Sequence, residues 1–177
     1  MDLKELTINN ISYQVIRLLG KGKGGYSYLV ERDNHFFVIK QIHHEPCSYY
    51  NFGNKLEAEL NDYNRLLNTG INLPKLLEVD YQNERILKEY IEGPTVYDLV
   101  KDDLMKDEYL YIVRKMAQKC MDKGLNIDYY PTNFIVNKDD LYYIDYECNN
   151  YDPKWNFENW GISYWSKTEE FLKTLNK

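Results

Sequence analysis

Runs of apolar residues interleaved with polar ones predict β-strands in the first half of the chain. Five runs rich in β-branched and aromatic residues cover 11–19, 26–32, 35–42, 73–79 and 85–91. Asp33-Asn34, between the second run and the third, is typical of a tight hairpin turn. Glu92-Gly93-Pro94 interrupts the pattern after the fifth run. We expect the five strands to form one small antiparallel sheet.

Three later stretches have the three- and four-residue spacing of helices. In the first, residues 54–68, the recurring apolar residues are Leu56, Leu60, Tyr63 and Leu67. Gly70 follows this stretch as a stop signal. The other two stretches, 96–104 and 108–123, follow the break at Pro94, and Gly124 ends the last one. Aromatic residues beyond Asp145 predict one or two further short helices.

Between these helical regions, residues 134–144 have the pattern of a β-hairpin. The two apolar runs 134–136 and 141–144 flank the polar segment 137–140, which we interpret as the turn. Pairing centred near Asp139 would bring Asn133 opposite Asp145, with their Cβ atoms roughly 5 Å apart. Asp128 lies a short loop away. These oxygen-bearing side chains suit a hard cation such as Mg²⁺ that keeps substrate phosphates among its ligands.

Composition and charge exclude several classes of protein. The 177 residues suit one compact unit, with room for two small lobes, and 44% hydrophobic with 28% charged residues is ordinary for a globular chain. A net charge of -6 argues against binding a nucleic-acid backbone. No apolar run approaches the roughly 18 residues of a membrane span, so we expect a cytoplasmic protein without a membrane partner. Cys47, Cys120 and Cys148 are isolated, and we interpret them as reduced thiols.

A glycine-rich segment joins the first two predicted strands. Gly20, Gly22 and Gly25 form the pattern Gly-x-Gly-x-x-Gly, in which missing Cβ atoms let the backbone approach a polyphosphate. A dinucleotide-binding Rossmann site is the obvious alternative, but that site needs a helix directly after the glycines. Residues 26–30 are strand-like instead. The pattern therefore favours a hairpin lid over phosphates.

An ordered set of motifs resembles the protein-kinase superfamily. The set comprises the glycine loop, Lys40 on an apolar strand, the helix of residues 54–68, Asp128 spaced from Asn133 as Asp-x-x-x-x-Asn, and Asp145 after a short hairpin. The resemblance covers nearly the whole chain. The chain looks like a minimal, bacterial-type Ser/Thr kinase-like protein. It implies a single two-lobed α+β domain. We expect an N-lobe over about 1–91 with a five-stranded antiparallel sheet and one helix, a hinge at about 89–93, and a reduced, mainly helical C-lobe over about 94–177.

The resemblance also implies roles for individual residues, with ATP and Mg²⁺ as cofactors. Asp128 and Lys40 would be catalytic, and Asn133 and Asp145 would bind the metal. The lysine needs an acidic partner, for which Glu57 and Glu59 compete. We favour Glu59, because apolar residues follow it four and seven positions later, as they do in kinases. The remaining nucleotide-binding positions would be Gly20, Gly22, Gly25, Val38, Glu89, Ile91 and Ile135.

Departures from the kinase pattern leave the substrate open. Asn126-Ile127 replaces His-Arg before the aspartate, Tyr130 stands where protein kinases carry a lysine, and Asp145-Tyr146-Glu147 replaces Asp-Phe-Gly. No Ala-Pro-Glu motif follows. The hydroxyl acceptor could be a protein or a small molecule. A nucleotide-binding or scaffolding pseudokinase is the alternative to an enzyme, and a Rossmann-type oxidoreductase is a distant third.

Overall fold

The computed structural model describes residues 3–46 and 53–176, and the chain divides into two compact units. The first unit comprises Met1–Glu59 and Pro74–Tyr90, and the second comprises Leu60–Leu73 and Ile91–Lys177. Each unit has its own cluster of buried apolar side chains. The predicted lobe boundaries, near residue 91, stay a prediction.

Strands dominate the first unit and helices the second. The strands are β1 (Glu5–Ile8), β2 (Ile11–Lys21), β3 (Gly25–Arg32), β4 (His35–Ile42), β5 (Leu76–Asp80), β6 (Arg85–Glu89), β7 (Leu125–Ile127), β8 (Phe134–Asn137), β9 (Asp140–Tyr143) and β10 (Cys148–Asn150). The α-helices are α1 (Lys55–Leu67), α2 (Val96–Lys101), α3 (Asp107–Met121) and α4 (Glu169–Thr174). The predicted α+β class is therefore confirmed.

The sheet of the first unit has six antiparallel strands in the order β1-β2-β3-β4-β6-β5. The expected count of five strands is wrong, because residues 5–8 add an edge strand. This segment alternates as a strand does, with Leu6 and Ile8 buried against the core. A four-residue run carries too little pattern to stand out in the sequence. The other five strands lie where the sequence predicts them, to within about three residues at each end.

Tight turns fix the register of the sheet. Asn9 and Asn10 join β1 to β2, and Asp33 and Asn34 join β3 to β4. All four residues have positive φ, between 48° and 67°. Two consecutive positive φ angles are typical of a type I′ turn, whose twist matches that of a hairpin, and asparagine and aspartate tolerate them better than most residues. The turn predicted at Asp33-Asn34 is thus confirmed.

The second unit packs around buried aromatic side chains. Tyr129, Phe134, Tyr143, Phe157, Trp165 and Phe171 are all at most 1% exposed. Each buries a large apolar surface, which supplies most of the favourable free energy of such a small core. The indole N–H of Trp165 donates to the Tyr129 carbonyl at 2.8 Å. This bond ties the C-terminal region to the loop that follows β7.

A short segment before α2 lies directly on the strand β8. The N–H of Val136 donates to the Pro94 carbonyl at 3.0 Å, and the Asn137 amide donates to the Glu92 carbonyl at 2.8 Å. Gly93 has φ +147°, and a Cβ atom there would lie 2.0 Å from the Val136 carbonyl oxygen. Only glycine fits this close backbone approach. Thr95 then caps α2 by accepting the N–H of Asp98 at 3.1 Å.

The C-terminal region contains short helices, as the sequence predicts. Residues 153–155 and 161–164 form short 3₁₀ helices, and α4 is one short α-helix. Thr168 caps α4 by accepting the N–H of Phe171 at 3.2 Å.

Candidate functional site: a glycine loop with a nearly buried ion pair, and two segments carrying polar side chains

The three glycines of the loop serve different purposes. A Cβ on Gly25 would lie 2.4 Å from the Gln41 carbonyl oxygen, so this glycine is required by the approach of β3 to β4. This packing role was not foreseen from the sequence. A Cβ on Gly20 would meet nothing within 4 Å, and one on Gly22 would only touch the Gly25 carbonyl oxygen at 4.0 Å. Packing within the chain does not require glycine at positions 20 and 22, because a Cβ would fit at both. Gly20 and Gly22 are therefore the better candidates for positions that a ligand approaches.

Two side chains that follow β4 in the sequence bind carbonyl groups of the glycine loop. The His43 ring lies 3.0 Å from the Gly22 carbonyl oxygen, and Lys55 donates to the Lys23 carbonyl at 3.3 Å. The other nitrogen of His43 accepts the Glu45 N–H at 3.3 Å, so the nitrogen facing Gly22 carries the proton. Lys55 is only 7% exposed and also donates to the His43 carbonyl at 2.6 Å. Sequence reasoning missed both anchors, because neither belongs to a motif.

Lys40 forms a nearly buried ion pair with Glu59 inside the first unit. Its ammonium lies 2.8 Å from each carboxylate oxygen, and the two side chains are 13% and 9% exposed. Glu57 is exposed instead, and its N–H donates to Asn54 at 3.1 Å at the start of α1. Residues two positions apart on a helix project about 200° from each other, so only one of the two glutamates can face the sheet. Glu59 is the ion-pair partner, as expected.

The same lysine lies against the glycine loop. A Cβ on Gly24 would lie 3.8 Å from the Lys40 ammonium nitrogen and 3.9 Å from the carbon next to it. The first unit thus brings a fixed cation to within contact distance of the loop backbone. A lysine ammonium beside a glycine-rich loop is an arrangement that suits phosphate binding.

The residues proposed for adenine binding are distributed over both units. In the first unit, Val38 is 7% exposed. The Glu89 carboxylate accepts the N–H of Lys75 at 3.1 Å, and the N–H of Glu89 donates to the Lys75 carbonyl at 2.9 Å. In the second unit, Ile91 is 7% exposed, and the half-buried Ile135 bridges to Thr95. The bonds to Lys75 mean that Glu89 already has structural partners. Adenine binding at these positions stays a prediction.

In the second unit, a structured loop follows β7 and begins at Asp128. One oxygen of the Asp128 carboxylate accepts the N–H of Tyr130 at 3.0 Å. Pro131 then starts a 3₁₀ helix that ends at Asn133, whose amide nitrogen donates to the Asp128 carbonyl at 3.3 Å. The amide of Asn133 is therefore oriented by the same loop that carries Asp128, with its oxygen as the atom suited to a cation.

The hairpin β8–β9 has a different register from the expected one. Its pairs run from Phe134 opposite Tyr143 to Asn137 opposite Asp140, across a two-residue turn. The next pair along the ladder is Asn133 with Ile144, whose N–H donates to the Asn133 carbonyl at 2.9 Å. The expectation that Asn133 lies directly opposite Asp145 is therefore wrong by one residue. Metal binding by these two residues stays a prediction.

Asp145 begins a segment that is anchored by its neighbours. One of its carboxylate oxygens accepts the N–H of Tyr146 at 2.8 Å. The Tyr146 ring is fully buried, with its centroid 4.4 Å from that of Tyr63. Cys148 then opens β10, which pairs with β7. The pairing of β7 with β10 connects the segments before Asp128 and after Asp145, and no sequence signal indicated it.

A cavity in the second unit is not lined by these residues. This cavity of about 360 Å³ lies where α3 begins and the β8–β9 turn ends, lined by residues that include Lys106, Tyr109 and Asp139. That turn is at the opposite end of the hairpin from Asn133, and none of the predicted site residues lines the cavity.

The cysteines and the helices give no sign of another kind of site within 3–46 and 53–176. Cys120 and Cys148 are free and buried, and burial raises the pKa of each thiol to about 12. Cys47 lies outside the described residues. No helix in these ranges is long and apolar enough for a membrane span, and no group of three or more His, Cys, Asp or Glu residues there is arranged to hold a metal.

Comparison with known proteins gives a distant similarity. No protein-family model matches the chain. The chain is 31% identical over 87 residues to a protein of Pyrococcus abyssi named KEOPS complex subunit Bud32. The match covers 47% of this chain and 39% of that relative, so the chain aligns with well under half of the relative's length. This partial similarity suggests the kinase-like superfamily at a coarse level.

Proposed function

We propose that this chain is an ATP-binding, Mg²⁺-dependent phosphotransferase of the kinase-like type. It would transfer the γ-phosphoryl group of ATP to a hydroxyl group of a protein or small molecule. The observation that carries the proposal is the Lys40–Glu59 ion pair, whose ammonium lies 3.8 Å from the Cβ position of Gly24 in the glycine loop. A lysine that only reached solvent from a strand end would not be held in this way.

The proposed chemistry divides between binding and transfer. Lys40, oriented by Glu59, would contact phosphate oxygens of the nucleotide, and the loop backbone would cover them. Asn133 and Asp145 would hold Mg²⁺. Bound ATP with its metal supplies the transferred group and the cation that offsets its charge. Asp128 would orient the acceptor hydroxyl and accept its proton.

Variants of Asp128 and Lys40 test the proposal because the two residues would act at different stages. Asp128→Asn should keep ATP affinity within about twofold and lower the transfer rate on the order of 10²- to 10⁴-fold, since a general base acts mainly in the transition state. Lys40→Ala should weaken binding and transfer together, because its phosphate contact exists in both states. Asp139→Asn, on the exposed hairpin turn, is the matched control and should behave as the parent protein.

Calorimetry with ATP and Mg²⁺ measures binding, and labelled ATP measures transfer to water, to the protein or to components of a cell extract. If Asp128→Asn keeps the parent rate, the role of Asp128 is wrong. If the parent protein binds no ATP, the nucleotide site itself is wrong.

A nucleotide-binding subunit with little turnover is the second candidate. It is favoured by the name of the P. abyssi relative, which describes a subunit of a complex, and by residues 146–177, which contain no Ala-Pro-Glu motif. Tight ATP binding without transfer to any acceptor would favour this candidate over the enzyme.

A further inference from the structure

The hydroxyl group of Tyr143 connects the two segments that carry the proposed catalytic and metal-binding residues. Tyr143 ends β9 and is fully buried. Its hydroxyl oxygen accepts the backbone N–H of Asp128 at 3.3 Å. Its proton is donated to the backbone carbonyl of Glu147 at 2.7 Å. One phenol thus bonds both the residue that begins the first loop and the segment that follows Asp145.

The roles in these two hydrogen bonds are fixed by chemistry. A carbonyl oxygen only accepts and a backbone N–H only donates, so the hydroxyl must donate to Glu147 and accept from Asp128. The hydroxyl also stays protonated at neutral pH. Burial, and then the nearby carboxylates of Asp145, Asp128 and Glu147, raise the pKa of Tyr143 well above its ordinary value. The hydroxyl that bonds the backbones of Asp128 and Glu147 therefore keeps the proton that it donates.

The ring of Tyr143 has a separate packing role. It lies 5.3 Å from the Phe134 ring, centroid to centroid, within the aromatic core. A phenylalanine at this position would keep that contact and remove only the oxygen. The two functions of the side chain can therefore be separated by a single substitution.

We propose that Tyr143 is a positioning residue that fixes Asp128 relative to the Asp145–Glu147 segment, and thereby sets the Mg²⁺ requirement and rate of phosphoryl transfer. This inference rests on the proposed function. The hydroxyl touches neither the acceptor nor the nucleotide in this proposal. It acts by holding two backbone segments at a fixed spacing, and displacements of about 1 Å at reacting groups have large effects on rate.

Tyr143→Phe tests the proposal, with Tyr142→Phe as the matched control. Tyr142 is the neighbouring residue of β9, is half-buried and pairs with Ile135. It is not among the proposed catalytic, metal-binding or nucleotide-binding residues. Tyr143→Phe should lower kcat about tenfold and raise the Mg²⁺ concentration for half-maximal rate several-fold. ATP affinity measured in EDTA should stay within twofold of the parent value, because the phosphate contacts of Lys40 are unaltered. Tyr142→Phe should leave all three quantities unchanged.

Hydrogen exchange provides a readout that does not depend on activity. Without the hydroxyl, amide exchange should become faster in residues 128–130 and 145–148 together, compared with Tyr142→Phe. Thermal melting of both variants reports any general loss of stability. A Tyr143→Phe protein with the parent kcat and Mg²⁺ requirement would overturn the positioning role, even if its melting temperature fell. Unchanged exchange would overturn the coupling of the two segments.

Failure of the proposed function gives a different result. The parent protein would then neither bind ATP nor transfer phosphate, while Tyr143→Phe would still show faster exchange. That combination would reduce Tyr143 to a structural residue and reject its role in transfer.

Discussion

Removing the charge of Glu59 should destabilise the first unit by about 2 to 4 kcal/mol. The Lys40 ammonium contacts both oxygens of the Glu59 carboxylate at 2.8 Å, with 13% and 9% of the two side chains exposed. At an effective dielectric constant of about 20, opposite charges about 4 Å apart attract by about 4 kcal/mol. Glu59→Gln abolishes this attraction but leaves Lys40 largely buried. Deleting one partner of a buried pair costs about 3 to 5 kcal/mol, and the amide oxygen of glutamine recovers part of that.

Urea denaturation measures this loss. Far-UV circular dichroism follows both units, whereas tryptophan fluorescence follows only the second, because Trp155, Trp160 and Trp165 all belong to it. Glu57→Gln is the control, since Glu57 is exposed on the same helix, and its effect should stay within about 0.5 kcal/mol.

A double variant separates the pair from its surroundings. Combining Lys40→Met with Glu59→Gln removes the buried ammonium as well and should recover more than half of the lost stability. The reasoning is refuted if Glu59→Gln unfolds within about 0.5 kcal/mol of Glu57→Gln, because a solvated pair would then be the better description.

Two further predictions concern the second unit. Gly93→Ala should cost about 2 to 6 kcal/mol, because strain and overpacking each contribute about 1 to 3 kcal/mol when a Cβ lies 2.0 Å from a carbonyl oxygen at φ +147°. Gly70→Ala, at φ +71° with open space around it, should cost about 1 kcal/mol in urea unfolding, and equal losses would contradict the steric argument. The last prediction uses a Cys47→Ser variant, which keeps only Cys120 and Cys148. A thiol reagent at pH 8 should label these two cysteines only on unfolding, since burial raises their pKa values to about 12. Labelling in the folded state would show that these thiols are accessible.

Local patterns in the sequence predicted the strands, helices and turns well, but they predicted the contacts between these elements less well. The strands 11–42 and the helix α1 follow from hydrophobic periodicity, and Asp33-Asn34 from turn chemistry. The Lys40–Glu59 pair was predicted from the resemblance to kinases, and helical geometry allows only one of the two glutamates to face the sheet. The strands, the helix and the turn are each encoded by residues close together in the sequence.

Features that depend on distant segments were not predictable in this way. The β8–β9 register was misplaced by one residue, because a polar run of four residues allows more than one turn. The anchors His43 and Lys55 bind carbonyl groups, and a carbonyl carries no sequence signal. The same holds for Tyr143, whose partners are a backbone N–H and a backbone carbonyl.

The anchored carbonyls of the glycine loop also determine where its N–H groups point. In a trans peptide, the C=O and N–H groups face opposite directions. His43 holds the carbonyl of Gly22 and Lys55 holds that of Lys23, so the N–H groups of Lys23 and Gly24 are turned away from these anchors. A flexible loop would have to lose conformational freedom before it could direct such donors at an anion. If the loop binds a phosphate as proposed, this order is present before binding, and preorganisation of this kind strengthens binding without adding a contact.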